Sequence, residues 1–109
     1  MIEIREYEDS NGHSPFGRWF RSLDRTAAAK VVIALTRIGS GNFSTVKGVG
    51  AGVSEYKIDF GPGYRVYFGR DGDALVILVG GGSKKRQNRD IENAQACWQA
   101  YKGRKRQEQ

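Results

Sequence analysis

Hydrophobic and polar positions change rhythm several times along the chain, and each change marks an element. Ile2 and Ile4 alternate with Glu3 and Arg5, the two-residue period of a half-buried strand. Ser14-Pro15 then supplies an N-cap hydroxyl and a proline at the first helical position, where its missing N–H costs nothing. Phe16, Trp19, Phe20 and Leu23 follow at helical spacing, so a first helix is predicted from about 15 to 23. Asp24 or Thr26 can cap a second helix, in which Ala28, Val31, Leu35 and Ile38 form one stripe and which Gly39-Ser-Gly-Asn ends. Two helices with so short a joint predict an antiparallel hairpin.

Beyond the hairpin the period returns to two. Val53, Glu55, Lys57 and Asp59 fall on one side of a predicted strand, with Ser54, Tyr56, Ile58 and Phe60 on the other. Gly61-Pro-Gly reads as a tight turn with proline at its second position. Tyr64, Val66 and Phe68 then alternate with Arg65 and Tyr67, Arg70-Asp-Gly-Asp turns the chain, and Ala74–Val79 reads as a central strand buried on both faces. Gly80-Gly-Gly leaves that strand, and Ile91, Ala94, Trp98 and Tyr101 place one apolar stripe on a last helix. The fold class predicted is α+β: a three-stranded antiparallel meander plus an N-terminal strand, an N-terminal helical hairpin and a C-terminal helix. The helices are expected on one sheet face, leaving the other open to a partner.

Size and composition limit what this pattern can build. The 109 residues fit one domain, 1–109, with 102–109 expected as a flexible basic tail. Ile, Leu, Val and Phe make up 24 residues, just above the level below which strongly charged chains stay disordered, so the core is small but real. No run approaches a membrane span, and the acidic, alternating start lacks the basic and apolar segments of a signal peptide, so a cytoplasmic location is expected. Cys97 has no second cysteine to pair with and His13 sits alone in a loop, so neither a metal centre nor a triad built on them is expected, and no cofactor. Gly48-Val-Gly-Ala-Gly lacks the Gly-Lys-Ser/Thr ending of a phosphate-binding P-loop.

Charge changes the picture more. The chain carries +6, yet residues 1–24 hold 3 basic and 5 acidic residues, so the positive charge is concentrated later. Lys84, Lys85, Arg86, Arg89, Lys102, Arg104, Lys105 and Arg106 face only Asp90, Glu92 and Glu108 within residues 84–109. Such polarity favours an anionic polymer or an acidic protein as partner. Strand alternation also puts Lys57, Arg65 and Tyr67 on one side, where adjacent strands about 5 Å apart let them converge. With the loop Ser83-Lys84-Lys85-Arg86-Gln87 at one end, that face reads as a cradle for phosphodiesters. Arginine can grip two phosphate oxygens, lysine adds a mobile charge, and tyrosine can stack on a base or donate a proton.

The stretches Gly52-Val-Ser-Glu-Tyr-Lys-Ile-Asp-Phe-Gly-Pro-Gly-Tyr-Arg-Val-Tyr-Phe and Leu78-Val-Gly-Gly-Gly-Ser-Lys-Lys-Arg-Gln-Asn-Arg-Asp-Ile-Glu-Asn-Ala resemble the RelE/ParE/HigB superfamily of toxin–antitoxin toxins. The likeness is greatest to its HigB-like branch of phage-derived addiction module killer proteins. It extends over nearly the whole chain, and the Gly-Pro-Gly-Tyr-Arg-Val-Tyr-Phe block is its specific part. It implies a bacterial toxin that cleaves mRNA on the ribosome, without a metal, through attack of a ribose 2′-OH on the adjacent phosphate. It also implies inhibition by a cognate helix-turn-helix, HigA-like antitoxin that covers the basic face or blocks ribosome entry.

Carried over by position, Arg65 becomes the phosphate clamp and Lys57 the base or a second charge stabiliser. Lys85, or Lys84 if the register slips by one, stands where relatives hold a second catalytic arginine, and Tyr67, Arg86 and Arg89 become RNA contacts. Asp59 replaces a second strand lysine, and Ile91 falls near the position of a catalytic tyrosine. Asp90 beside it can take over that acid/base role, or serve the helix dipole as a first-turn anion. The resemblance further implies that Arg65→Ala relieves growth arrest while leaving the antitoxin complex intact. A ParE-like poison of DNA gyrase and a non-catalytic nucleic-acid-binding module are the alternatives.

Overall fold

A computed structural model describes residues 1–108. The order is β1 (Glu3–Glu6), α1 (Pro15–Arg21), α2 (Arg25–Gly39), β2 (Val46–Gly48), β3 (Val53–Ile58), β4 (Tyr64–Asp71), β5 (Leu75–Ser83), a 3₁₀ turn (Lys84–Arg86) and α3 (Gln87–Gln107). The five strands form one sheet in the order β1-β5-β4-β3-β2. The meander β3-β4-β5 is antiparallel, and β1 joins its edge parallel to β5 with Glu3 opposite Leu75. The predicted α+β class and its elements are present. The sheet has a fifth strand, β2, which the sequence pattern did not predict, and β4 rather than β5 lies at its centre.

Local chemistry sets the helix starts. Ser14 Oγ accepts from the Gly17 N–H at 2.9 Å and Asp24 Oδ1 from the Ala27 N–H at 2.8 Å, so Asp24 caps α2. In the β3–β4 turn Gly61 takes φ 56°, and the Gly63 N–H donates to Phe60 O. Proline therefore stands third in the turn, one place later than the sequence suggested, because the glycine before it takes the left-handed position. The Lys84 N–H donates to Gly63 O at 3.1 Å, tying the basic 3₁₀ turn to that loop.

The sheet is covered on both faces. Val76, Leu78, Val66, Phe68, Tyr56 and Ile58 pack against Phe16 of α1 and Val31, Ala34 and Ile38 of α2. On the opposite face Ile77, Val79, Tyr67 and Val53 pack against Ala94 and Trp98 of α3. The expectation of one open face is thereby corrected: the stripe Ala94–Trp98 is apolar because α3 lies over the side of β3 and β4 that had read as charged. Residues 102–107 continue α3 and are not a loose tail. Tyr101 Oη and Lys105 Nζ both donate to Asp71, and Arg104 Nη1 donates to Glu8 O at 2.9 Å.

Strand glycines make the close packing of α3 and α1 possible. A Cβ on Gly69 would run into the Trp98 ring, and one on Gly81 into the Trp19 ring. Gly80-Gly-Gly does not end β5 but pairs with Tyr67, Val66 and Arg65 of β4. Gly69→Ala is accordingly expected to lower unfolding free energy by about 1–3 kcal/mol, the cost of overpacking a filled core. Urea melts followed by tryptophan fluorescence measure it; an unchanged midpoint would show that Trp98 does not rest on this strand. No helix among the described residues is long and apolar enough to cross a membrane.

Candidate nucleic-acid site

Lys57 and Arg65 are direct partners in the β3–β4 register, and Glu55 faces Tyr67 one step along, so all four side chains share a face. That face lies under α3. Arg65 is 5% exposed and Tyr67 is fully buried. The Arg65 guanidinium has Nε 3.7 Å from Glu55 Oε1 and donates from Nη1 to Gly63 O at 3.1 Å, while Gln87 Nε2 donates to Glu55 Oε2 at 3.1 Å. A buried Glu–Arg pair braced by α3's first residue is structural chemistry. Burial, helped by the Glu55 charge, pushes the Tyr67 hydroxyl well above its ordinary range, and its oxygen has no hydrogen-bond partner. Two expectations are therefore corrected: Tyr67 does not stack on a base, and Arg65 is not open to a phosphate.

Lys57 is exposed, but its ammonium sits 3.7 Å from Asp59 and it lines a different groove, of about 330 Å³, between α2 and β3 with Lys30 and Arg37. Lys84 and Arg89 are exposed. Lys57 and Arg65 thus start from one face, but Arg65 is covered by α3 while Lys57 reaches solvent, so the cationic residues singled out from the sequence do not share one open surface.

Where convergence does occur is the glycine end of β5. β1 pairs with β5 only as far as Leu78, so Gly80–Ser83 lie beyond it, flanked by α1 and the start of α3. Trp19 packs on Gly81 and the Asp90 carboxyl on Gly82, from opposite sides of the strand. Two adjoining clefts, of about 490 and 460 Å³, share Trp19, Gly81, Arg86 and Asp90. Lys85 and Tyr64 line the first, and Arg18 and Asn93 the second. The Trp19 and Tyr64 rings stand 6.3 Å apart at 59°, both partly exposed.

Burial raises the Asp90 carboxyl above its ordinary range, against the opposing pull of Arg86 and Arg89. The cleft thus joins two cations for phosphate oxygens, two aromatic walls for a base, and a carboxyl that holds its proton to higher pH than a solvated one. Trp19 and Tyr64 had read from spacing only as core. The available signal was the run of three glycines, which leaves room beside β5 for side chains from elsewhere.

Among the described residues no group of three or more His, Cys, Asp or Glu side chains could hold a metal ion. His13 is exposed in its loop with Nδ1 3.8 Å from Asp9 Oδ2, and Cys97 is half-buried on α3, where burial raises its thiol pKa. No family model matches the sequence. An uncharacterized protein of Haemophilus influenzae is 41% identical over 80 residues, which cover 72% of this chain and 81% of that protein.

Proposed function

The chain belongs to one family with that Haemophilus influenzae protein, and we propose that it is the toxin of a type II toxin–antitoxin module, an mRNA endoribonuclease that acts on the ribosome in the cytoplasm. The observation that carries this reading is the meeting of Lys85, Arg86, Asp90, Trp19 and Tyr64 at one cleft beside the Gly-Pro-Gly-Tyr-Arg block. The resemblance of the sequence to RelE/ParE/HigB toxins supports it. The partners are mRNA, the ribosome and a helix-turn-helix antitoxin.

In this reading the 2′-OH passes its proton to water as it bonds to phosphorus, Lys85 and Arg86 stabilise the charge gathering on the phosphoryl oxygens, and Asp90 protonates the 5′-oxygen as the P–O5′ bond breaks. Trp19 and Tyr64 flank the base next to the scissile bond. No histidine or second carboxyl lines the cleft with Asp90 among the described residues, so intrinsic activity is weak and the ribosome's orientation of the message supplies much of the acceleration.

Toe-printing on a defined mRNA with purified ribosomes tests the proposal. New 3′ ends are expected with ribosomes and few without them. Lys85→Gln slows their appearance about 10- to 100-fold, the rate equivalent of one charge-assisted hydrogen bond. Absence of new ends with the wild-type chain would sink the nuclease reading. One observation favours the ParE-like alternative: with Arg65 and Tyr67 buried, few titratable groups remain for chemistry. Inhibition of DNA supercoiling by gyrase, with ribosomal mRNA left intact, is the outcome that reading requires.

A further inference from the structure

Lys85 and Arg86 stand in the 3₁₀ turn Lys84–Arg86, which runs directly into α3 at Gln87. α1 and α2 each begin with a side-chain cap, Ser14 and Asp24. The 3₁₀ turn and α3 have none: Ser83 and Arg86 occupy the two capping positions without a side-chain hydrogen bond. Arginine cannot cap, because its guanidinium carries donors only. The turn that presents the two cations of the cleft is therefore closed locally by the Gln87 N–H donating to Lys84 O, with no capping side chain to assist.

Its braces come from the buried pair. At one end the Lys84 N–H and Arg65 Nη1 donate to the same acceptor, Gly63 O, each at 3.1 Å. At the other end Gln87 Nε2 donates to Glu55 Oε2, also at 3.1 Å. Arg65 and Glu55 face each other diagonally across β3 and β4, so the contacts close a ring that returns along the turn from Gln87 to Lys84. Lys85 and Arg86 occupy the exposed arc between its two fastenings.

A pair serving stability alone would turn its hydrogen bonds inward. Here Arg65 Nε lies 3.7 Å from Glu55 Oε1, too far for a hydrogen bond, and has no other partner. Both side chains instead direct their hydrogen bonds to the ends of the turn.

We infer that Glu55, Arg65 and Gln87 are positioning residues, which hold the backbone of residues 84–87 so that Lys85 and Arg86 meet the scissile phosphate in register. The inference rests on the nuclease reading of the cleft. It gives Arg65 a part in the reaction at second hand: the guanidinium stays beneath α3 and acts through Gly63 O on the turn. A buried ion pair keeps one arrangement because parting it leaves a charge alone out of water, and the turn inherits that rigidity. Displacing a catalytic group by about 1 Å can cost about 10²-fold in rate.

Gln87→Met keeps the length of the side chain and removes its donor. Hydrogen exchange of the full chain, followed by NMR, is expected to show the Lys84 amide exchanging about 10-fold faster, with the amides of β4 and those around Ala94 unchanged. With mRNA-programmed ribosomes as substrate, kcat is expected to fall about 10- to 100-fold while KM stays within about twofold, because Lys85 and Arg86 keep their charge and lose their place. Gln95→Met is the matched control. Gln95 Nε2 donates to Val49 O at 2.9 Å, an equivalent bond from α3 that does not touch the turn. That variant is expected to lower the urea midpoint by a similar amount and to leave Lys84 exchange and kcat at wild-type values. Glu55→Leu with Arg65→Met removes both fastenings without leaving a charge buried alone, and is expected to speed Lys84 exchange further. Unchanged Lys84 exchange in Gln87→Met overturns the inference, as does faster exchange with a wild-type kcat, or an equal loss of kcat in Gln87→Met and Gln95→Met. A wild-type chain that cleaves nothing on ribosomes defeats the nuclease reading, and Lys84 exchange still decides whether the pair holds the turn.

Discussion

Arg65→Ala lowers the free energy of unfolding by about 3–5 kcal/mol, a large share of what a small domain possesses. Glu55 and Arg65 are 4% and 5% exposed, and their charges compensate one another across β3 and β4. Removing the guanidinium leaves the Glu55 carboxylate beneath α3 with Gln87 as its remaining side-chain hydrogen-bond partner. In a domain of this length each kcal/mol moves the thermal midpoint by roughly 4–8 °C, so the variant is expected to melt at least 12 °C below the wild type.

Replacing both partners by apolar residues, Glu55→Leu with Arg65→Met, restores most of the stability, because no charge is then left buried alone. Urea melts of the two variants decide the matter, and a wild-type midpoint for Arg65→Ala would show that the pair is not buried in solution. The consequence for function is direct. Loss of growth arrest in Arg65→Ala would report a weakened fold, so it cannot assign Arg65 as a phosphate clamp, and the antitoxin complex of that variant would be weakened with it. The double apolar variant is the one that speaks to chemistry: retained cleavage would place Arg65 outside the reacting centre.

The same pair explains which parts of the structure were legible in the sequence. Alternation of two located β3 and β4, Ser14 and Asp24 announced the helix starts, and the stripe through Ala94 and Trp98 announced α3. These are local signals, each contained within a few residues. What they omit is the destination of α3, which depends on partners far apart in sequence: Gln87 on Glu55, 32 residues away, and Tyr101 on Asp71, 30 away. Glu55, Lys57, Arg65 and Tyr67 looked solvated because charge alternating with apolar residues usually marks a water-facing side. Mutual neutralisation of Glu55 and Arg65 lets that side be covered instead.

The glycines held the missing information. Gly69, Gly81 and Gly82 interrupt strands where a bulky ring or a carboxyl from a helix rests on the backbone, and a glycine inside a strand is a known sign of such an approach. Read in that way, Gly80-Gly-Gly points to the cleft between Trp19 and Asp90. β2 was harder to foresee, because its three residues carry a pairing register with Ser54–Tyr56 but little pattern of their own. The candidate site was accordingly half legible: Lys85, Arg86 and Asp90 from charge and resemblance, Trp19 and Tyr64 only from the fold.

Asp90→Asn has two effects of opposite direction, and together they separate a chemical role from a structural one. The carboxyl rests on the Gly82 backbone, and burial holds its pKa above the ordinary value. Between the unfolded and the raised folded pKa the native chain binds more protons than the unfolded chain, so stability falls as pH rises through that window, and above it the full penalty is present. Asparagine has no charge to desolvate. Above that window the variant's urea midpoint is therefore expected to equal or exceed the wild type's, with no slope where the wild type declines. Cleavage moves the other way, because loss of a positioned general acid costs about 10²- to 10⁴-fold. The wild-type rate should fall as pH rises through the Asp90 pKa, and the asparagine variant should lack that limb. Were Asp90 only the first-turn anion of α3, asparagine would instead lower stability by about 0.3–1 kcal/mol and leave cleavage per folded molecule unchanged. A stabilised variant that cleaves at the wild-type rate would remove Asp90 from the mechanism and leave the cleft a binding surface.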